Sequence, residues 1–230
     1  MLRRKKRGDK ILHLLETKPK FMKKNILFVF SFLLISSAIY SQKPNKLNSN
    51  QIYEKVQKLN FLGTALYIAA HPDDENTKMI SWLTNEVGAS TAYLSLTRGD
   101  GGQNLIGTEL GPKLGILRTQ ELMQARAIDG GQQYFSRAVD FGYSKTAEET
   151  LEKWGKEEVL GDVVWVIRSF KPDVIITRFP PDKRAGHGHH TASAMLAIEA
   201  FDLSSKEEAY PEQLKLVDTW QAKRVYWNAS

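Results

Sequence analysis

Residues 64–75 read TALYIAAHPDDE. The first seven, Thr64 to Ala70, are a short unbroken apolar run, the pattern of a strand buried on both faces. Such a strand belongs in a parallel sheet with helices on either side, because strands with one wet face alternate instead. The polar turn His71-Pro72-Asp73-Asp74-Glu75 follows at once. Met79, Ile80, Leu83 and Val87 then recur at helical spacing, so a helix is expected over residues 75–87.

The same alternation runs outward along the chain. Gln51 to Leu59 places Ile52, Val56 and Leu59 at helical spacing. Ala89 to Leu96 reads as a second strand, ending in the Gly/Asp-rich loop Arg98 to Gly102. Pro112 to Ile128 reads as a helix with Leu114, Leu117, Leu122 and Ala125 toward the core, stopped by Gly130-Gly131. Gln133 to Val139 is a third strand. Thr146-Ala147-Glu148-Glu149 is a capping box, and Val159 to Phe170 an apolar helix broken at Lys171-Pro172. Asp173 to Arg178 is another buried strand, Thr191 to Phe201 a helix, and Lys223 to Trp227 one more strand. Strands alternating with helices imply a three-layer α/β/α architecture around a mainly parallel sheet. No internal repeat interrupts it. The chain stops at Ser230 without a polar tail or closing helix, as a fragment of a longer protein would.

The 230 residues can hold one domain with a sizeable core, and 42% hydrophobic with 25% charged residues is ordinary for a globular protein. The formal charge of +6 is unevenly placed. Residues 1–24 carry ten Lys/Arg and two Asp/Glu, and residues 25–41 carry neither. From Gln42 on there are 22 basic and 24 acidic residues, which gives no electrostatic case for binding nucleic acid. Met22-Lys23-Lys24, the apolar run Ile26 to Ile35 and the small residues Ser36 to Ser41 read as a signal peptide over 22–41. The run is short for a bilayer span, so export to the periplasm or beyond is expected, with a single N-terminal anchor as the alternative. Residues 1–21 are a basic extension or the product of a start site set too early, and residues 42–50 a linker. There is no cysteine, so any metal must be held by nitrogen and oxygen.

Four of the five histidines fall in two clusters: His71 in His-Pro-Asp-Asp-Glu, and His187, His189 and His190 in Gly-His-Gly-His-His-Thr. Both clusters follow buried strands, and in parallel α/β sheets sites form at the carboxyl ends of strands. His71 and Asp74, three apart at the start of a helix, share one side of a turn. With one imidazole from the second cluster they make a three-ligand zinc site, which leaves a fourth position for water of lowered pKa. Asp73 lies between the two as general base. The plainer readings are a helix N-terminus with Pro72 at its first position for the first cluster, and an exposed Gly/His loop for the second.

Ala70-His71-Pro72-Asp73-Asp74-Glu75 resembles the signature of the LmbE/PIG-L deacetylases, metal-dependent hydrolases acting mainly on N-acetylglucosamine groups. His187 and His190 are similar to that family's second signature, His-x-x-His. The resemblance covers roughly Leu62 to Trp227 and implies a deacetylase domain over 51–230 with a Rossmann-like fold. It implies metal ligands at His71, Asp74 and His190, a general base at Asp73, and at His187 a histidine that stabilises the oxyanion in its protonated form. Arg118 is similar to an arginine that contacts the sugar. The implied metal is Zn2+, with Fe2+ also suited to the donor set, and the implied partner an N-acetylated sugar or glycoconjugate. Many members carry Pro and Asp where Gly188 and His189 stand, and Asp182 is a candidate to supply the missing carboxylate. Loop Arg98 to Gly102 is a surface turn or a lip over the substrate. Hydrolysis of another amide or an ester, and an inactive carbohydrate-binding relative, are the competing functions.

Overall fold

The computed structural model describes residues 46–229. The segments read as basic extension and signal peptide, and residues 42–45 of the linker, lie outside them. Contacts divide the chain into two units, Met1–Ile52 and Tyr53–Ser230. Helix α1 (Ser49–Lys58) runs across the division and buries none of its residues. Among the described residues, no helix is long and apolar enough to cross a membrane.

The second unit is built on five parallel strands: β1 (Thr64–Ala69), β2 (Ser90–Ser95), β3 (Gln132–Phe135), β4 (Val174–Thr177) and β5 (Arg224–Trp227). Their order is β3-β2-β1-β4-β5, so the direction of winding reverses between β1 and β4. Crossovers are made by α2 (Thr77–Asn85), α3 (Pro112–Asp129), α4 (Ala147–Trp154), α5 (Lys156–Phe170) and α6 (Gly188–Leu203). This is the expected parallel, three-layer arrangement. It places the loops after β1 and β4 side by side at the switch point, where doubly wound sheets leave a crevice.

The central strands are buried almost throughout, as the unbroken apolar runs require. One face carries the larger core, in which Leu66, Ile68 and Leu94 meet Val163, Val164 and Ile167 of α5 and Leu196 of α6. On the other, Tyr67 and Tyr93 pack with Ile80 of α2 and Leu122 of α3. Asp173 ties the strand starts together, accepting from Thr64 N at 2.9 Å, Thr64 Oγ1 at 3.1 Å and Lys223 Nζ at 2.7 Å.

Several boundaries shift, each for a local reason. The helix expected from Glu75 begins at Thr77, because Asn76 caps it by accepting from Met79 N. His71 and Asp74 therefore lie in a turn ahead of the helix, and Pro72 is not at its first position. Leu117, expected in the core, is 42% exposed on the outer side of α3. Thr146 accepts from Glu149 N as a capping box requires, but Glu149 reaches back to Lys145 N instead of Thr146 N. The helix expected from Thr191 starts three residues earlier, with His187 as its N-cap.

Candidate active site

The turn after β1 is drawn tight by Asp74, whose Oδ2 accepts from His71 N at 2.7 Å and lies 3.2 Å from His71 Nδ1. Buried Tyr93 donates its hydroxyl to His71 O at 2.5 Å, holding the turn to the neighbouring strand. At the far end of the turn, the Glu75 carboxylate meets Arg126 Nη2 at 3.4 Å, and Arg126 is gripped by Asp129 at 2.6 Å. That network, almost wholly buried, fastens the motif to the end of α3 and gives Glu75 an anchoring place.

The loop after β4 delivers three imidazoles in one helical turn. His187 Nδ1 accepts from His189 N at 3.3 Å as the cap of α6, so its proton sits on Nε2. His190 Nδ1 bonds Ala185 O at 3.0 Å, which makes Nδ1 the donor and leaves the Nε2 lone pair free. Phe179 stacks on the His190 ring at 3.7 Å, fixing its plane. His190 Nε2 then lies 3.5 Å from Asp74 Oδ1. Asp74 thus touches His71 with one oxygen and His190 with the other.

All six residues singled out from sequence, His71, Asp73, Asp74, Arg118, His187 and His190, line one open cleft of about 730 Å³. Gly99, Gly101, Gly102 and Leu105 form another wall; the loop read as either turn or lip borders the cleft. It can come this close because Gly101 packs directly on the backbone of Asp140 and Gly142, where a Cβ would collide. Asp73 is largely exposed, with Arg118 Nη2 at 3.2 Å from its Oδ2 and Arg118 Nε at 3.1 Å from Glu121.

Burial opposes charge throughout the site. For His71 and Asp74 their mutual contact outweighs it: His71 is held above the usual imidazole range and Asp74 below the usual carboxylate range. His187 has no such partner. Burial and the neighbouring His190 and His71 push it down to about 4, which favours the neutral ring and a hydrogen-bond donor role. Asp182 does not repair this, because it is exposed and bound to Arg184 at 2.6 Å.

Among the described residues, two sets of donors could hold a cation. The ligand atoms of His71, His187 and His190 lie within 4.8 Å of one another, as do those of His71, Asp140 and His189. In the first set Asp74 is the better third donor than His187: its two oxygens reach both other ligands, it brings negative charge, and His187 Nδ1 is engaged as a cap. Sequence reasoning missed Asp140 and gave His189 no role. Asp140 is separated from both clusters in sequence and reaches the site only through the fold.

Over an alignment of 180 residues that covers 71% of this chain, it is 26% identical to 1D-myo-inositol 2-acetamido-2-deoxy-alpha-D-glucopyranoside deacetylase of Streptomyces avermitilis, of which 60% is covered. Mycothiol S-conjugate amidase of Streptomyces coelicolor is 29% identical over 179 residues, 70% of this chain and 59% of that one. The chain spans about 60% of the length of these curated relatives. Among solved structures, N,N'-diacetylchitobiose deacetylase from Pyrococcus horikoshii aligns with a TM-score of 0.58 at 17% identity, over 80% of this chain and 70% of that one. The 4-carboxy-2-hydroxymuconate hydratase from Pseudomonas putida KT2440 aligns with a TM-score of 0.53 at 21% identity, over 71% and 64%. These two share the fold, and their differing names show that the fold alone does not select the reaction. Residues 66–201 match PIG-L, GlcNAc-PI de-N-acetylase, and the chain belongs to that family.

Proposed function

We propose that this protein is a zinc-dependent amidohydrolase that removes the acetyl group from an N-acetylglucosamine-type substrate. The observation that carries the reading is the meeting of His71, Asp74 and His190 on one side of an open cleft, with Asp73 and His187 beside them. Family membership and the names of the relatives support deacetylation as the reaction. His71, Asp74 and His190 would hold the ion; their nitrogen and oxygen donors suit zinc and equally iron(II). Such an ion, when bound, polarises an amide carbonyl and makes water more acidic.

The chain's own residues supply the rest. Asp73 is exposed to the cleft and takes a proton from the attacking water. Water oxygen bonds to the carbonyl carbon as the C–N bond breaks. His187, whose Nε2 carries its proton, donates a hydrogen bond to the developing oxyanion. The departing amine receives its proton from Asp73, which took it from the water, and acetate and a free amino sugar remain. Arg118 both steadies Asp73 and offers a cation to substrate hydroxyls.

The discriminating variant is Asp73→Asn. It is expected to keep the metal and lose nearly all turnover; retained turnover would remove Asp73 from the base role. The likeness to an amidase favours, as a second reading, the same chemistry on another amide, and that reading gains if acetylated sugars are refused while a larger amide is cut. Export belongs to the proposal through residues 22–41, and an N-terminus near Gln42 on protein recovered from the periplasm or medium would bear it out.

A further inference from the structure

His189 stands between the two histidines of the second motif, and neither the metal nor the proton chemistry above uses it. It is also the most enclosed residue of the cluster, with 0% of its surface exposed. Its ring sits edge-to-face with Phe141 at 4.4 Å and tilted over Trp154 at 4.9 Å. Its Nδ1 lies 2.9 Å from His71 Nε2, while its Nε2 is buried with no hydrogen-bond partner. Behind it, Asp140 Oδ1 is 3.7 Å from the same Nδ1, outside hydrogen-bond range, and is held by Gly142 N at 2.8 Å.

These facts fit one proton arrangement. His71 turns Nδ1 toward Asp74, the side on which a metal would sit, and its proton is then on Nε2. That proton needs an acceptor, and His189 Nδ1 is the atom in reach. With Nδ1 accepting, His189 carries its own proton on Nε2, among aromatic rings, which accounts for the unpartnered atom. The imidazole that replaces the usual aspartate of the resembling motif thus acts on His71 and not on His187. The nearby carboxylate comes from Asp140, on a different loop.

We propose that His189 is a positioning residue for the metal centre, its Nδ1 fixing the ring orientation and tautomer of His71, with Asp140 seated behind the pair. The proposal rests on His71 being a ligand. Groups that orient a metal-bound histidine typically matter by about 10- to 100-fold in metal affinity.

The test uses zinc affinity of the full chain, by competition with a chelating dye, and the visible absorption of the Co2+ form. Neither needs substrate. His189→Leu removes the acceptor and is expected to weaken zinc binding by about 10- to 100-fold and shift the Co2+ bands. His189→Asn puts an oxygen where Nδ1 lies and is expected to restore both. His189→Gln puts its amide near Nε2 instead and is expected to behave like the Leu variant; it carries the comparison if the Leu variant does not fold. Trp154→Phe, which disturbs packing around His189 without touching His71, should leave affinity unchanged. Zinc affinity in His189→Leu or His189→Gln equal to that of His189→Asn would overturn the proposal. A parallel His71→Ala separates the two claims: if it keeps zinc, the ligand reading fails, whereas if it alone loses zinc, only the role of His189 does.

Discussion

Gly188 gives the sharpest packing prediction. It is the first residue of α6, between the two histidines of the second motif, and its N–H donates to Ser144 O at 2.9 Å. A Cβ at this position would overlap Thr146 O and Ser144 Oγ. Neither can step aside. Thr146 O is fixed by Thr150 N at 3.3 Å and Thr150 Oγ1 at 3.1 Å, and Ser144 Oγ is held by Thr150 Oγ1 at 2.8 Å. Ordinary contact at about 3.5 Å requires the two backbones to part by on the order of 1 Å. In Gly188→Ala that displacement falls on His187 and His189, which flank the substitution. Overpacking of this kind costs about 1–3 kcal/mol, and about 2 kcal/mol in a domain of this size lowers the melting temperature by about 4–8 °C. A shift of that size at the reacting groups costs about 100-fold in kcat/KM. Thermal unfolding with and without zinc, together with deacetylation kinetics, measures both. A variant melting within about 1 °C of the parent, with unchanged kinetics, would refute the claim that this glycine seats the histidine turn.

Two further substitutions separate site from scaffold. Arg118→Ala breaks the 3.2 Å contact with Asp73 while leaving every ligand in place; kcat/KM should fall by about 10- to 100-fold, the loss of one charged hydrogen bond, with zinc affinity unchanged. Asp173→Asn should destabilise the sheet by about 1 kcal/mol at pH 7, measured by denaturant unfolding, since the group is partly exposed. Its pH dependence has a definite sign: Lys223 and the Thr64 N–H and hydroxyl hold Asp173 below the ordinary carboxylate value. The contribution is therefore complete above that value and disappears as pH falls through the lowered one, so parent and variant should converge below it. A gap that persists there would contradict the assignment.

The sheet was legible because β1 and β2 are buried on both faces, and β4 on one face and partly on the other, and so write themselves as apolar runs. Amphipathic helices were legible by spacing, except where composition misleads. Leu117 has the right period but points outward. Gly188-His189-His190 look like loop residues, and the helix that includes them is set by a histidine cap that propensity does not anticipate. The convergence of His71, Asp73, Asp74, His187 and His190 on one cleft followed from placing both clusters at strand ends, whereas Arg118 came only from the resemblance. Asp140 could not be found that way. Its place depends on Gly101 allowing two backbones to touch, and on Phe141 and Trp154 enclosing the His189 ring. The charge of His187 was not legible for a related reason: burial beside other imidazoles favours the neutral ring, and only the fold brings them together.

The central claim is metal-dependent deacetylation, and acetate release tests it most directly. The full chain, freed of metal by chelator and reloaded with zinc, should be assayed against a panel of N-acetylated glucosamine derivatives. Release from at least one member that vanishes with chelator and returns with zinc is the predicted result. Release that is indifferent to chelator, or a zinc-loaded protein that frees no acetate from any member, would contradict it.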